Sequence, residues 1–100
     1  MKDTPEVSIT FEDTGTKGRY VAQVPGYDEV GELTVTKTSD VMWIADHTGV
    51  PDSMRGLGVA KALVEHLVAD SRANGRRIIP LCPYVKAQYS KHPEWKDVFG

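Results

Sequence analysis

Six consecutive residues near the middle of the chain, Arg55-Gly56-Leu57-Gly58-Val59-Ala60, have the types and spacing to hold an anion on the main chain. Glycine at 56 and 58 leaves the backbone unobstructed, and Ala60 keeps the following turn slim. Where such a loop opens a helix, the first amides have no intrahelical partner and the helix dipole makes that end mildly positive. A pyrophosphate can dock there. Arg55 adds a charged donor. No acid follows the next apolar run and the three spaced glycines of a dinucleotide loop are missing. The absence of Gly-Lys-Ser/Thr excludes a nucleoside triphosphate loop. Flexible glycines at an ordinary helix entry are the plain structural alternative.

Three further residue types carry reactivity. Cys82, the lone cysteine, ends an apolar run and directly precedes Pro83. A thiol at a helix start is favoured as thiolate and can act as a nucleophile; a free cysteine on a strand is as readily an inert core residue. Tyr89, with Tyr84 nearby, can donate a proton or pack against a sheet. His47, beside Asp46, carries an imidazole that can accept a proton from an ammonium, or bond its strand as a structural histidine. His66 reads as solvent-facing, and His92, before Pro93, as a stabiliser of the last segment. Three scattered histidines and one cysteine give no metal-ligand spacing, and the carboxylates form no catalytic pair.

The elements that must position these residues follow from periodicity. Val7, Ile9 and Phe11 alternate with polar residues, and Arg19–Val24 is rich in β-formers before the Pro25-Gly26 turn. Leu33 and Val35 share one face of a strand over 30–37, and 41–50 forms a longer strand ended by Pro51-Asp52. The first half is thus an antiparallel meander of three or four strands. Val59, Ala60, Leu63, Val64, Leu67, Val68 and Ser71 then mark one face of a helix of about four turns. Lys61, Glu65, His66, Asp70 and Arg72 lie largely away from that face, and Asn74-Gly75 stops the helix. Residues 76–82 read as a strand in which Pro80 implies a bulge, an edge or an end to pairing. Pro83 opens a second helix, and residues 94–99 form a terminal turn or helix. The order implies an α+β fold: a mainly antiparallel sheet, a main helix after the glycine loop and a C-terminal helix.

The 100 residues suit one domain over 1–100, with residues 1–6 expected to fray around Pro5. A net charge of −2 argues against nucleic acid, and no apolar stretch is long enough for a membrane span. The single cysteine suits a reducing compartment and the N-terminus lacks an apolar signal core, so a cytoplasmic protein is expected.

The order strand, Arg-x-x-Gly-x-Ala, helix, strand, helix after a meander resembles the GNAT superfamily of acyl-CoA N-acyltransferases. Ala45-Asp46-His47-Thr48-Gly49-Val50-Pro51, the Arg55–Ala60 loop, Leu63-Val64, Ile79-Pro80-Leu81-Cys82-Pro83-Tyr84-Val85 and His92-Pro93-Glu94-Trp95 resemble its minimal single-domain branch, over about residues 19–99. The resemblance implies acetyl-CoA as cosubstrate, with pyrophosphate on the amides of 55–60 and pantetheine on the main chain of Gly49 and Val50. The thioester would lie in a gap between the strand ending at Val50 and the one ending at Cys82. It implies transfer of an acetyl group to an amine, via or beside Cys82, with the acceptor a small molecule or a protein. Larger relatives place a proton-donating tyrosine near Tyr89. They also wall the acceptor with a helical pair, for which no room precedes Arg19, so the acceptor would enter an open cleft or one walled by a second subunit; the chain is expected as a monomer or homodimer. A CoA-binding module without turnover, or an interaction domain with structural glycines, are the other two readings.

Overall fold

The computed structural model describes residues 6–99; residues 1–5, most of the stretch expected to fray, lie outside the described residues. Four strands, β1 (Ser8–Asp13), β2 (Lys17–Gln23), β3 (Gly31–Lys37) and β4 (Met42–Gly49), form the antiparallel meander. Asp13 Oδ1 accepts the Gly15 N–H at 3.0 Å, closing the first turn. Helix α1 (Val59–Ala73) crosses over to β5 (Arg77–Pro80), which runs parallel to β4 from Met42–Arg77 to Ala45–Pro80. A parallel neighbour needs such a crossover, which a hairpin cannot supply. The sheet order is therefore β1-β2-β3-β4-β5, with β5 at one side. Pro80 is its last paired residue, on the side of the sheet where a missing N–H is tolerated. Helix α2 (Pro83–Lys91) starts on Pro83, and a short 3-10 turn follows at Pro93–Trp95.

Strand alternation puts Tyr20, Ala22, Leu33, Val35, Trp43, Ala45 and Ile78 on one buried face. Helix α1 lays Val59, Leu63, Val64, Leu67 and Val68 against them. Leu63 and Leu67 lose all accessible surface, each contributing about 2 kcal/mol of transfer free energy. The tail closes the same core: Trp95, Val98 and Phe99 are buried, and the Ile78 N–H donates to Val98 O at 2.7 Å along the outer side of β5.

The far end of α1 is tied to the sheet through Asp70. Its carboxylate accepts from Tyr20 Oη at 2.6 Å and from Arg76 at 2.7 Å, and the Arg76 guanidinium lies 3.6 Å over the Trp43 ring. Burial, then the hydrogen bond to Asp70, pushes the Tyr20 phenol far above its ordinary value.

Candidate functional site

Between β4 and α1 the chain makes a 3-10 turn at Asp52–Met54, pinned by the fully buried Met54 side chain. The loop then takes φ +85° at Gly56 and +77° at Gly58, left-handed angles that side chains resist. A Cβ on either glycine would meet nothing within 4 Å, so the space in front of both is open. Gly58 is the residue that caps the start of α1, and Ala62 N–H to Gly58 O at 3.0 Å is the first helical bond. The amides of Val59, Ala60 and Lys61 precede it. No side chain caps them and no acid stands in the first turn.

These amides open onto a cleft of about 230 Å³. It is lined by Arg55, Gly56, Gly58, Val59 and Ala60, together with Val50, Met54, Lys61 and Tyr84. Leu57 points elsewhere and packs half-buried against the core. Among the described residues Arg55 pairs with exposed Asp52 alone, at 2.8 Å, a contact that solvent screens. Two cations and a helix start with free amides make this end of the molecule suited to an anion.

A second feature lies on β4. Thr34 faces His47 but Val35 faces Ala45, so Asp46 is an extra residue in a β-bulge. Asp46 accepts from Thr36 Oγ1 at 2.6 Å. Past the bulge Thr48 stands opposite the buried Leu33. On its other side β4 is paired to β5 only as far as Ala45, with one further link, Cys82 N–H to Ala45 O at 2.8 Å. Beyond that link β4 continues to Gly49 while the neighbouring chain turns into α2. Across this opening Cys82 Sγ lies 3.5 Å from Thr48 Oγ1.

Cys82 is 3 % exposed and precedes the first turn of α2. His47 is exposed, and its ring lies along the strand toward Gly49: a Cβ there would stand 3.1 Å from His47 Nε2. Tyr84 stands in the first turn of α2, and burial, then the Glu65 charge, raises its pKa. Tyr89, further along α2, is half-buried and stacks on Phe99 with ring centroids 4.7 Å apart. His66 is exposed with its ring edge-on to Tyr20, and His92 stacks on Trp95 and bonds Glu94 at 2.9 Å.

The structure thus gathers Val50 and the loop residues, except Leu57, at one cleft, and sets Gly49, His47 and Cys82 around the adjoining end of β4. Tyr89 is not among the residues lining that cleft. Sequence reasoning missed Lys61, Met54 and Thr48. Lys61 stands three residues after Gly58, a first-turn position readable from the loop itself. Met54 and Thr48 carry no such signal.

A larger cleft, of about 380 Å³, opens at the opposite end of the sheet between Thr16, Lys37, Asp40, Trp43 and Arg76. Its cations are already paired, Lys37 with Asp13 at 2.6 Å and Arg76 with Asp70 at 2.7 Å, and Phe11 and Arg76 both pack on Trp43. Ser39 also lines it, and its hydroxyl oxygen is engaged in the turn, accepting from the Val41 and Met42 N–H groups at 3.2 and 3.1 Å. Among the described residues no three His, Cys, Asp or Glu side chains gather as a metal-ligand set, and no helix is long and apolar enough to cross a membrane.

Residues 19–98 match the family of GCN5-related N-acetyltransferases. The chain belongs to this family. No curated protein matches the sequence. Among solved structures, the chain is similar to a GCN5-like protein of Staphylococcus aureus, 25% identical, with a TM-score of 0.67 over 99% of this chain and 91% of that one. The five-stranded sheet with its two helices is thus the fold of a GCN5-related N-acetyltransferase, an acyltransferase family that generally uses acetyl-CoA. The donor set fits that cosubstrate: uncapped amides at a helix start, two open glycines and the cations of Arg55 and Lys61.

Proposed function

We propose that the chain transfers the acetyl group of acetyl-CoA to the amine of an acceptor. The observation that carries this reading is the uncapped start of α1 behind Gly56 and Gly58, opening on a cleft that adjoins the end of β4. The amides of Gly56 and of residues 58–61, with the Arg55 and Lys61 side chains, hold the pyrophosphate; those of Arg55 and Leu57, expected to share it, are already bonded to Asp52 O and Met54 O at 3.1 and 3.3 Å. The main chain of Gly49 and Val50 holds the pantetheine arm, with Met54 and Tyr84 as its walls. The thioester then lies at the opening beyond the Ala45–Pro80 pair, beside Cys82.

At that point two routes share one geometry. The amine attacks the thioester directly, or Cys82 takes the acetyl group first. In the second, Sγ bonds the carbonyl carbon, the bond to the CoA sulfur breaks, and the proton lost by Cys82 is the one CoA gains. The amine then attacks the acetyl-cysteine and releases the Cys82 sulfur. His47, exposed beside Gly49, takes the proton that an ammonium must lose before attack. In direct attack a phenol can supply the proton that the departing CoA sulfur gains, whereas in the second route Cys82 supplies it. Tyr84 lines the cleft and is kept protonated by burial, whereas Tyr89 serves by holding α2 on Phe99.

One observation favours binding without turnover. Ile79 on β5 and Leu81 just beyond its end are 39 % and 67 % exposed, and no described element walls an acceptor there. Calorimetric titration with acetyl-CoA, followed by thiol release on addition of a panel of amines, separates the two readings. Binding with release above the uncatalysed rate is the expected result. Binding without release supports a CoA-binding module, and no thermal stabilisation by millimolar CoA overturns both.

A further inference from the structure

We infer that Thr48 is a positioning residue for Cys82, holding its sulfur at the opening between β4 and β5. The inference rests on the acetyl-transfer reading above. The backbone of Cys82 is fixed twice, by its N–H bond to Ala45 O at 2.8 Å and by the Pro83 turn that opens α2. Neither fixes rotation of the thiol about its own side-chain bond. Thr48 Oγ1, at 3.5 Å from Sγ, is within reach of a weak sulfur hydrogen bond and comes from the opposite side of the opening.

The bulge creates this contact. Trp43 and Ala45 are buried on the inner face, and unbroken alternation would send His47 inward and Thr48 outward. The extra residue Asp46 reverses the phase, so His47 lies exposed and Thr48 stands opposite Leu33 on the inner side. One inserted residue therefore sets both side chains at once.

The chemistry of the pair is simple. As a thiol, Cys82 donates S–H to Thr48 Oγ1. When the sulfur attacks a carbonyl and has given up its proton, the hydroxyl turns and donates O–H to the sulfur. The hydroxyl keeps its own proton throughout, and its role is to hold the sulfur in one rotamer in both states.

One cysteine means one S–H stretching band in the infrared, so the contact can be read with no ligand present. Thr48→Val keeps the side-chain shape and removes the hydroxyl. The band is expected to move to higher wavenumber in Thr48→Val, and alkylation of Cys82 by iodoacetamide to slow about fivefold, the worth of one hydrogen bond. Thr48→Ser restores both, and Thr48→Ala, if Val packs badly, shows the same losses. An unchanged band, an unchanged alkylation rate, or failure of Thr48→Ser to restore them overturns the inference. If the unaltered protein binds CoA yet transfers nothing, the acetyl-transfer reading fails, while the infrared and alkylation results still decide the role of Thr48.

Discussion

Gly58 joins two requirements that a substitution can separate. Its φ of +77° penalises any side chain, while the open space before it penalises only one that reaches into the cleft. Gly58→Ala is expected to lower stability by about 1–2 kcal/mol through the backbone angle, with a modest effect on CoA affinity. Gly58→Val adds branched bulk where the pyrophosphate approaches, so its CoA affinity is expected to fall at least about tenfold, more than 1.4 kcal/mol. Melting curves and calorimetric titration of both variants check this, and equal affinities for the two would remove the main-chain cradle. At Cys82 the covalent route predicts a single acetyl adduct by intact mass after exposure to acetyl-CoA, absent in Cys82→Ser. Full transfer activity in Cys82→Ser would leave direct attack as the route. The loop was legible in the sequence because glycine types report backbone angle directly. The pairing of Thr48 with Cys82 was not, since it spans 34 residues and depends on the phase of a strand.

Among the elements, α1 was legible because its apolar residues keep a 3.6 period over four turns, and its buried residues are those the spacing marked, with Ala60 only half-buried at the cleft. Helix α2 was not. Only Val85 is buried along it, so its rotation is set by Tyr89 on Phe99 and by the Pro83 turn rather than by an apolar stripe. That is why spacing could not choose between Tyr84 and Tyr89. The bulge at Asp46 left one trace, the break in alternation after Ala45, where polar residues run on through Asp46, His47 and Thr48. The clamp at the far end of α1 yields a pH prediction. Tyr20 is neutral in the fold and its pKa is raised, so the folded state holds its proton where the unfolded chain has lost it. The stabilisation is complete below the unfolded value of about 10 and is lost as pH rises above it. Melting temperature is therefore expected to fall steeply above that pH, and Tyr20→Phe to flatten the fall at the loss of the Asp70 bond. An alkaline slope unchanged in Tyr20→Phe would place the sensitivity elsewhere.

At the scale of the molecule, the binding end depends on packing at the opposite side of α2. Phe99 is 1 % exposed, stacks on Tyr89 and reaches Trp95, while Arg77 donates to its carbonyl at 3.0 Å. Tyr84 sits on the same helix as Tyr89 and walls the cleft. Phe99→Ala leaves a cavity beneath α2 and is expected to destabilise by about 3–5 kcal/mol, a large share of the stability of a domain this size. If packing alone is lost, CoA raises the melting temperature of the variant as much as that of the unaltered protein. If the Tyr89 contact sets the position of α2, the helix relaxes, Tyr84 withdraws, and the stabilisation by CoA shrinks as well. The second outcome is expected, because Val85 is the only fully buried side chain α2 contributes, and of its two partly buried tyrosines on the core Tyr89 is the one stacked on Phe99. A tenfold weaker affinity at saturating ligand removes about 1.4 kcal/mol of ligand stabilisation, a loss that melting curves taken with and without CoA resolve.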